Sequence, residues 1–239
     1  MKKYFITTGI TLTCCFSAIL GFAQNQPAKT VVANKTINAD AKLKSDVELE
    51  KKAADWVEYL HLNDTAKSAR LRRTISTHLK TISDWNNDHP FSTVPAGINP
   101  ATGKYLSDLD RQVIASSAIP KSVHENLMSG LKSELNDEQV ATILDKYTVG
   151  KVAFTLAGYK AIVPNLTKEE EEAILTQLKI AREQAIDFKS MKQISAIFEI
   201  YKTKCEQYLN ANGRNWKQLY KDYTDAVKAK KEAGETPDQ

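Results

Sequence analysis

From Val47 to Val227 apolar residues return every three or four positions, and that spacing most constrains what the chain can fold into. It is the period of a helix with one face in a core, whereas a half-buried strand alternates every second residue. One stripe holds Leu71, Ile75, Leu79, Ile82 and Trp85. Another holds Val123, Leu127, Met128 and Leu131. Ile174, Leu178, Ala181 and Ala185 make a third. Ile194, Ile197, Phe198, Tyr201, Cys205, Tyr208 and Leu209 form the next, and Trp216, Leu219, Tyr220, Tyr223 and Val227 the last. Few segments alternate as strands do. The pattern predicts an all-α multi-helix bundle of seven or eight helices.

Start and stop signals agree with these stripes. Asn63 or Asp64 can cap the helix of the first stripe, and Pro120 can open a later one. Asn136 with Gln139, and Thr167 with Glu170, have capping-box spacing; Glu169 to Glu172 add negative charge to the first turn. A long helix is expected from Asp137 to about Val163, ended by Pro164. Its Tyr147–Val163 part is apolar on almost every side, which predicts the central, most buried helix. Gly150 and Gly158 there permit either a close helix approach or a kink. Asn212-Gly213 reads as a stop. Residues 86–104, with Pro90, Pro95, Gly97, Pro100 and Gly103, form the longest break and can join two sub-bundles. Leu135–Gln139 and Leu166–Glu170 echo each other, either as a repeat or as two helices that start by the same chemistry.

The N-terminus has the layout of a secretory signal. Lys2 and Lys3 precede an apolar and hydroxylic run to Leu20, and Gly21-Phe22-Ala23 places small residues before Gln24. The run is short for a membrane anchor, and no other stretch suits a membrane span. Cys14 and Cys15 are poorly placed for a lipoprotein. The expected organisation is a signal peptide over 1–23, a flexible arm over 24–45, a helical domain over 46–228 and a flexible tail over 229–239. The mature protein would be periplasmic or secreted. Cys205 would then be its only cysteine, more in keeping with packing than with a reactive thiol.

The sequence carries 33 basic and 29 acidic residues, well mixed, for a net charge of +4. No basic stripe argues for nucleic acid. There is no glycine-rich phosphate loop, paired-cysteine metal motif, His-Glu-x-x-His or Gly-x-Ser-x-Gly. Neither a cofactor nor a metal is implied. Asp84, Asp88 and His89 are types that gather round a divalent ion, but a solvated helix end explains them equally well.

Two groups of residues are candidates for ligand binding. Tyr147, Lys151 and Tyr159 lie on or near the apolar helix, where a lysine must reach water or meet a partner such as Asp145, Glu183 or Asp187. Arg182 follows beside an alanine-rich face. This cluster can bind an acidic or polyhydroxyl ligand, or be a structural ion pair. The second group is aromatic: Trp56, Tyr59, Trp85, Tyr208, Trp216, Tyr220 and Tyr223. Exposed, such rings can hold sugars; turned inward, they are core.

The stretch Leu135–Asp187, "LNDEQVATILDKYTVGKVAFTLAGYKAIVPNLTKEEEEAILTQLKIAREQAID", resembles the domain of unknown function DUF3826, found in exported Bacteroidetes proteins. So does "IFEIYKTKCEQYLNANGRNWKQ" further on. The earlier "LNDTAKSARLRRTISTHLKTISDWN" is similar to that family's N-terminal part. The likeness covers about residues 46–225. It implies a role near polysaccharide breakdown, since members often sit beside genes for lyases and hydrolases. It supplies no catalytic residues. "LTKEE" is also similar to periplasmic helical chaperones of the LTxxQ type, with Glu170 where that motif expects Gln.

The expectation is a non-catalytic accessory in polysaccharide utilisation that binds glycan or an envelope protein partner. A polysaccharide lyase or hydrolase using Tyr147, Lys151 or carboxylates near Arg182 is one alternative. A periplasmic helical chaperone or scaffold is another. Tyr147, Lys151, Tyr159, Arg182, Asp187 and Trp216 are the ligand-binding candidates.

Overall fold

The computed structural model describes residues 29–100 and 102–234. Among them nine α-helices carry the chain: α1 (Lys29–Glu58), α2 (Thr65–Asp88), α3 (Asp108–Ser117), α4 (Lys121–Lys132), α5 (Asp137–Thr148), α6 (Lys151–Ile162), α7 (Lys168–Ala185), α8 (Met191–Ala211) and α9 (Trp216–Glu232). A short 3-10 turn, Phe91–Thr93, follows α2. The extended pairing among these residues is a single bridge between Ile98 and Tyr105. The fold is all-α, as the spacing predicts.

The signal-peptide stretch and the first residues of the arm lie outside the described residues. α1 begins at Lys29, so the rest of the expected arm is helical. With no proline or glycine between Ala28 and Glu58, nothing in the sequence interrupts a helix there. α9 likewise continues to Glu232, past the start of the expected tail. Among the described residues, those up to Lys42 belong to one unit and those from Leu43 onward to a second. Both cores and both clefts described below belong to the second.

The helix starts are built by the expected chemistry. Asn136, Thr167 and Ser190 each accept from a backbone N–H three residues on, with Gln139, Glu170 and Gln193 returning the bond in full capping boxes. Ser107 and Asp110 do the same for α3. Each such cap contributes about 1 kcal/mol. Asp64 caps α2 through Lys67 N at 2.9 Å.

The expected long helix over 137–163 is two helices. Val149 and Gly150 both take left-handed backbone angles, φ 53° and 66°, and end α5 before α6 begins. Glycine adopts that conformation freely, whereas a β-branched residue is strained in it. The division raises the helix count to nine. α6 is also not the central helix. It buries Val152 and Tyr159 but leaves Phe154 80% exposed. An apolar sequence on all sides does not bury a helix when only one side finds neighbours.

Two apolar clusters form the interior. The first joins Ala53, Trp56 and Val57 of α1, Leu71, Ile75, Leu79 and Ile82 of α2, the stripe of α4, and Val140 to Tyr147 of α5, with Ile186. The second joins Val152, Tyr159, Ile174, Leu178, Ala181, Ile194, Phe198, Cys205 and Leu209. The chain passes from one core to the other at Val149–Gly150, and not at the expected junction over 86–104. That loop instead folds back on α3: Arg111 donates through Nε and Nη2 to Val94 O at 2.9 and 2.7 Å.

α2 and α4 approach closely at Gly130. A Cβ there would lie 2.7 Å from Cγ2 of Thr74. α2 carries His78 and α4 carries His124. Both histidines converge on Asp187, just after α7.

Candidate functional site

The six candidate residues do not form one cluster. Tyr147 and Asp187 belong to a buried polar chain beneath one cleft. Lys151, Tyr159 and Trp216 line a separate groove. Arg182 lines neither.

Asp187 is the centre of the polar chain. His78 Nε2 lies 3.0 Å from its Oδ1, and His124 Nδ1 lies 2.9 Å from its Oδ2. His78 Nδ1 is 3.1 Å from the hydroxyl of Tyr147. These partners assign the tautomers. His78 donates to Asp187 through Nε2–H and accepts from the Tyr147 hydroxyl at Nδ1. His124 donates through Nδ1–H, leaving Nε2 directed away from Asp187 with Glu183 Oε1 3.7 Å off. Trp56 packs on Tyr147 with ring centroids 4.7 Å apart.

Electrostatics follows from this geometry. The hydrogen bond from Asp187 raises the His124 pKa; burial opposes it, and the charges of Asp187 and Glu183 add to the rise. Burial pushes the Asp187 carboxyl up, but the hydrogen bonds from His124 and His78 outweigh it and leave the pKa below its ordinary value. Burial, then the charge of Asp187, holds the Tyr147 hydroxyl far above its ordinary pKa. Tyr147 is 6% exposed and stays protonated, so it is a donor inside the protein and not a base facing a ligand. Above the chain lies a cleft of about 710 Å³ between the α3–α4 turn, α7 and α8, lined among others by Lys121, His124, Glu183, Asp187 and Tyr201.

The groove lies between α6, α8 and α9 and measures about 710 Å³. Three of its aromatic rings touch in a row. Tyr159 and Trp216 have ring centroids 5.1 Å apart, and Trp216 and Tyr220 6.0 Å. Phe154 and Tyr223 also line it, with Phe154, Tyr220 and Tyr223 exposed and Trp216 half-buried. Tyr159 is buried and its hydroxyl donates to Lys202 O at 3.1 Å. Lys151 reaches over Phe198, its Nζ 5.7 Å from the ring centroid. Glu199, Lys202 and Glu206 supply polar groups, and burial pushes the Glu206 carboxyl up.

Arg182 is buried in a structural pair. Its Nη1 donates to Asp145 Oδ1 at 2.8 Å and to Ala141 O at 3.3 Å, while its Nε is buried without a partner. Of the other aromatic candidates, Trp56 is core and Trp85 stacks on His89 at 3.8 Å. His89 Nδ1 also lies 2.9 Å from Trp85 O. Among the described residues no group of three or more His, Cys, Asp or Glu side chains is placed to hold a metal ion. Cys205 is buried, and burial lifts its thiol to about 11.

Sequence reasoning missed His78, His124 and Phe154. His78 has a legible signal, since it stands three residues after Ile75 and four before Ile82, on the apolar stripe of α2. A histidine there must find partners inside the protein. His124 sits beside Val123 and gives no such sign.

The sequence model of DUF3826, described as a protein of unknown function, matches residues 46–229. The chain belongs to the DUF3826 family. The match spans the helical domain from the last turns of α1 to within α9, so the polar chain, the cleft and the groove all lie inside the DUF3826 domain. No curated protein matches the chain. No helix among the described residues is long and apolar enough to cross a membrane.

Proposed function

We propose that this protein binds a glycan chain in the groove between α6, α8 and α9, as an accessory to polysaccharide utilisation in the periplasm or outside the cell. One observation carries the reading: Phe154, Trp216, Tyr220 and Tyr223 line a single open groove with Lys151, Glu199, Lys202 and Glu206. Sugar rings present apolar C–H faces that stack on aromatic rings, and hydroxyls that need donors and acceptors at the edge. Solvent exposure of three of these rings leaves them free to stack on a ligand.

Titration of the purified protein with a panel of neutral and acidic oligosaccharides, followed by calorimetry and tryptophan fluorescence, tests it. The expected result is saturable binding that weakens at least tenfold in Tyr220→Ala and in Phe154→Ala, each exposed and unfolding at close to the wild-type temperature. Absence of binding across the panel would remove the support for a sugar ligand. Phe154, 80% exposed on the groove, favours a second reading. In it the same face meets an envelope protein partner, and pull-downs would lose that partner in Phe154→Asp.

A further inference from the structure

Tyr201 lines the cleft above Asp187, while Phe198 and Lys202 of the same helix line the groove, so the two sites flank α8. We propose that the cleft is a second, catalytic site, in which His124 moves a proton within a carboxylate-bearing sugar, a uronate, and Asp187 is its positioning residue. The inference goes beyond sugar binding in the groove and does not depend on it.

The first support is orientation. Asp187 fixes Nδ1 of His124 as a donor at 2.9 Å, which leaves Nε2 of the neutral ring without a proton on the cleft side. Asp187 is itself held from below by His78, and His78 by Tyr147. A chain of four polar groups, two buried and two part-buried, is costly unless every bond is made, and apolar residues would hold the helices as well. What the chain adds is a histidine of fixed tautomer whose imidazolium form is stabilised by an adjacent carboxylate.

The second support is the lining. His124 shares the cleft with Lys121, whose ammonium can meet a sugar carboxylate, and one imidazole can remove a proton from a carbon and return it to an oxygen on the next carbon. In a 4-linked uronate the C5 hydrogen is next to the carboxylate, and the glycosidic oxygen is on C4. Nε2 of His124 takes the C5 proton. The electron pair forms the C4–C5 double bond as the C4–O4 bond breaks. The imidazolium returns the proton to the departing oxygen, so no water is consumed and the ring ends neutral.

The other charged groups of the cleft have definable parts. Lys121 supplies a cation that offsets the substrate carboxylate, which eases loss of the C5 proton. Glu125 of α4 and Glu183 of α7 are exposed, and Glu183 can turn from Nε2 as substrate enters. Asp187 stabilises the imidazolium between the two proton transfers.

The test incubates the full protein with polygalacturonate, alginate and hyaluronan, with dextran and starch as neutral controls. Expected are unsaturated uronate ends from at least one acidic polymer, with product masses that sum to the substrate without added water. His124→Gln should lower the rate at least 100-fold, the scale of a lost general base. Asp187→Asn should lower kcat more than KM. It should also move the acid limb of the pH–rate profile to lower pH, because the carboxylate that raises the His124 pKa is gone. A purely structural Asp187 would leave that limb in place. Folded wild-type protein that yields no unsaturated product from any of the three acidic polymers overturns the proposal. So do products that gain water, or a wild-type rate in His124→Gln.

Discussion

Gly130→Ala tests the contact that brings the two histidine-bearing helices together. In an exposed helix alanine is favoured over glycine by about 1 kcal/mol. Here the new Cβ would lie 2.7 Å from Cγ2 and 3.1 Å from Oγ1 of Thr74. Thr74 is β-branched, and its hydroxyl donates to Arg70 O at 3.1 Å, so its side chain has little freedom to turn aside. Overpacking of this kind costs about 1–3 kcal/mol. The net expectation is a loss of about 1 kcal/mol, or roughly 2–4 °C in Tm for a domain of this size. In a Thr74→Ala background the obstacle is gone, and Gly130→Ala should stabilise by up to about 1 kcal/mol. The four proteins of this cycle, unfolded in urea and followed by far-UV circular dichroism, should give a coupling of about 2 kcal/mol. A coupling below about 0.5 kcal/mol would refute the claim that Thr74 forbids a side chain at 130.

Three further outcomes follow from the polar groups and the strained turn. His124 has a raised pKa, so its share of stability is complete below the ordinary value of 6.5 and fades as pH rises through the raised one. Asp187 has a lowered pKa, so its share is complete above 3.8 and fades as pH falls through the lowered one. Asp187→Asn should therefore destabilise most between about pH 4 and 6.5; a loss independent of pH in urea titrations would contradict this. Arg182→Met should leave stability unchanged or raise it, because Nε is already buried unpaired, whereas Asp145→Ala should lower it by stranding a buried guanidinium. Equal losses in thermal unfolding would count against the pair's being structural. Val149→Gly should stabilise by up to about 1 kcal/mol, since relief of the left-handed strain exceeds the entropy of glycine; a loss would show that the valine is held there by contacts.

The helices were legible because capping and periodicity are local. Asn136 with Gln139 and Thr167 with Glu170 announce their helix starts in four residues, and the structure makes both boxes. What was not legible depends on neighbours distant in sequence. Tyr147–Val163 is apolar enough for a central helix, but burial depends on what packs around it, and α6 leaves Phe154 in solvent. Gly150 was compatible with a kink; that Val149 would join it in the left-handed region has no sequence signal. Proximity along the chain does not bring the candidate residues together. Space divides them, because Lys151 lies beyond the turn that separates α5 from α6, while Tyr147 lies before it. Asp187 could be singled out, but its partners His78 and His124 stand 109 and 63 positions away.

The turn at Val149–Gly150 also orders events in time. Every buried residue of the first core but Ile186 precedes it, and every buried residue of the second follows it, with Val113 of α3 packed against the second. A growing chain can thus gather α1 to α5 before α6 exists, with one vacancy to fill. Ile186 and Asp187 arrive together at the end of α7, the isoleucine closing the first core and the aspartate joining His78 to His124. That dipeptide acts with the contacts of Arg182 to Asp145 and of Gln193 to Ser116 in tying the late half of the chain to the early one, and the cleft is complete only once α8 adds Tyr201.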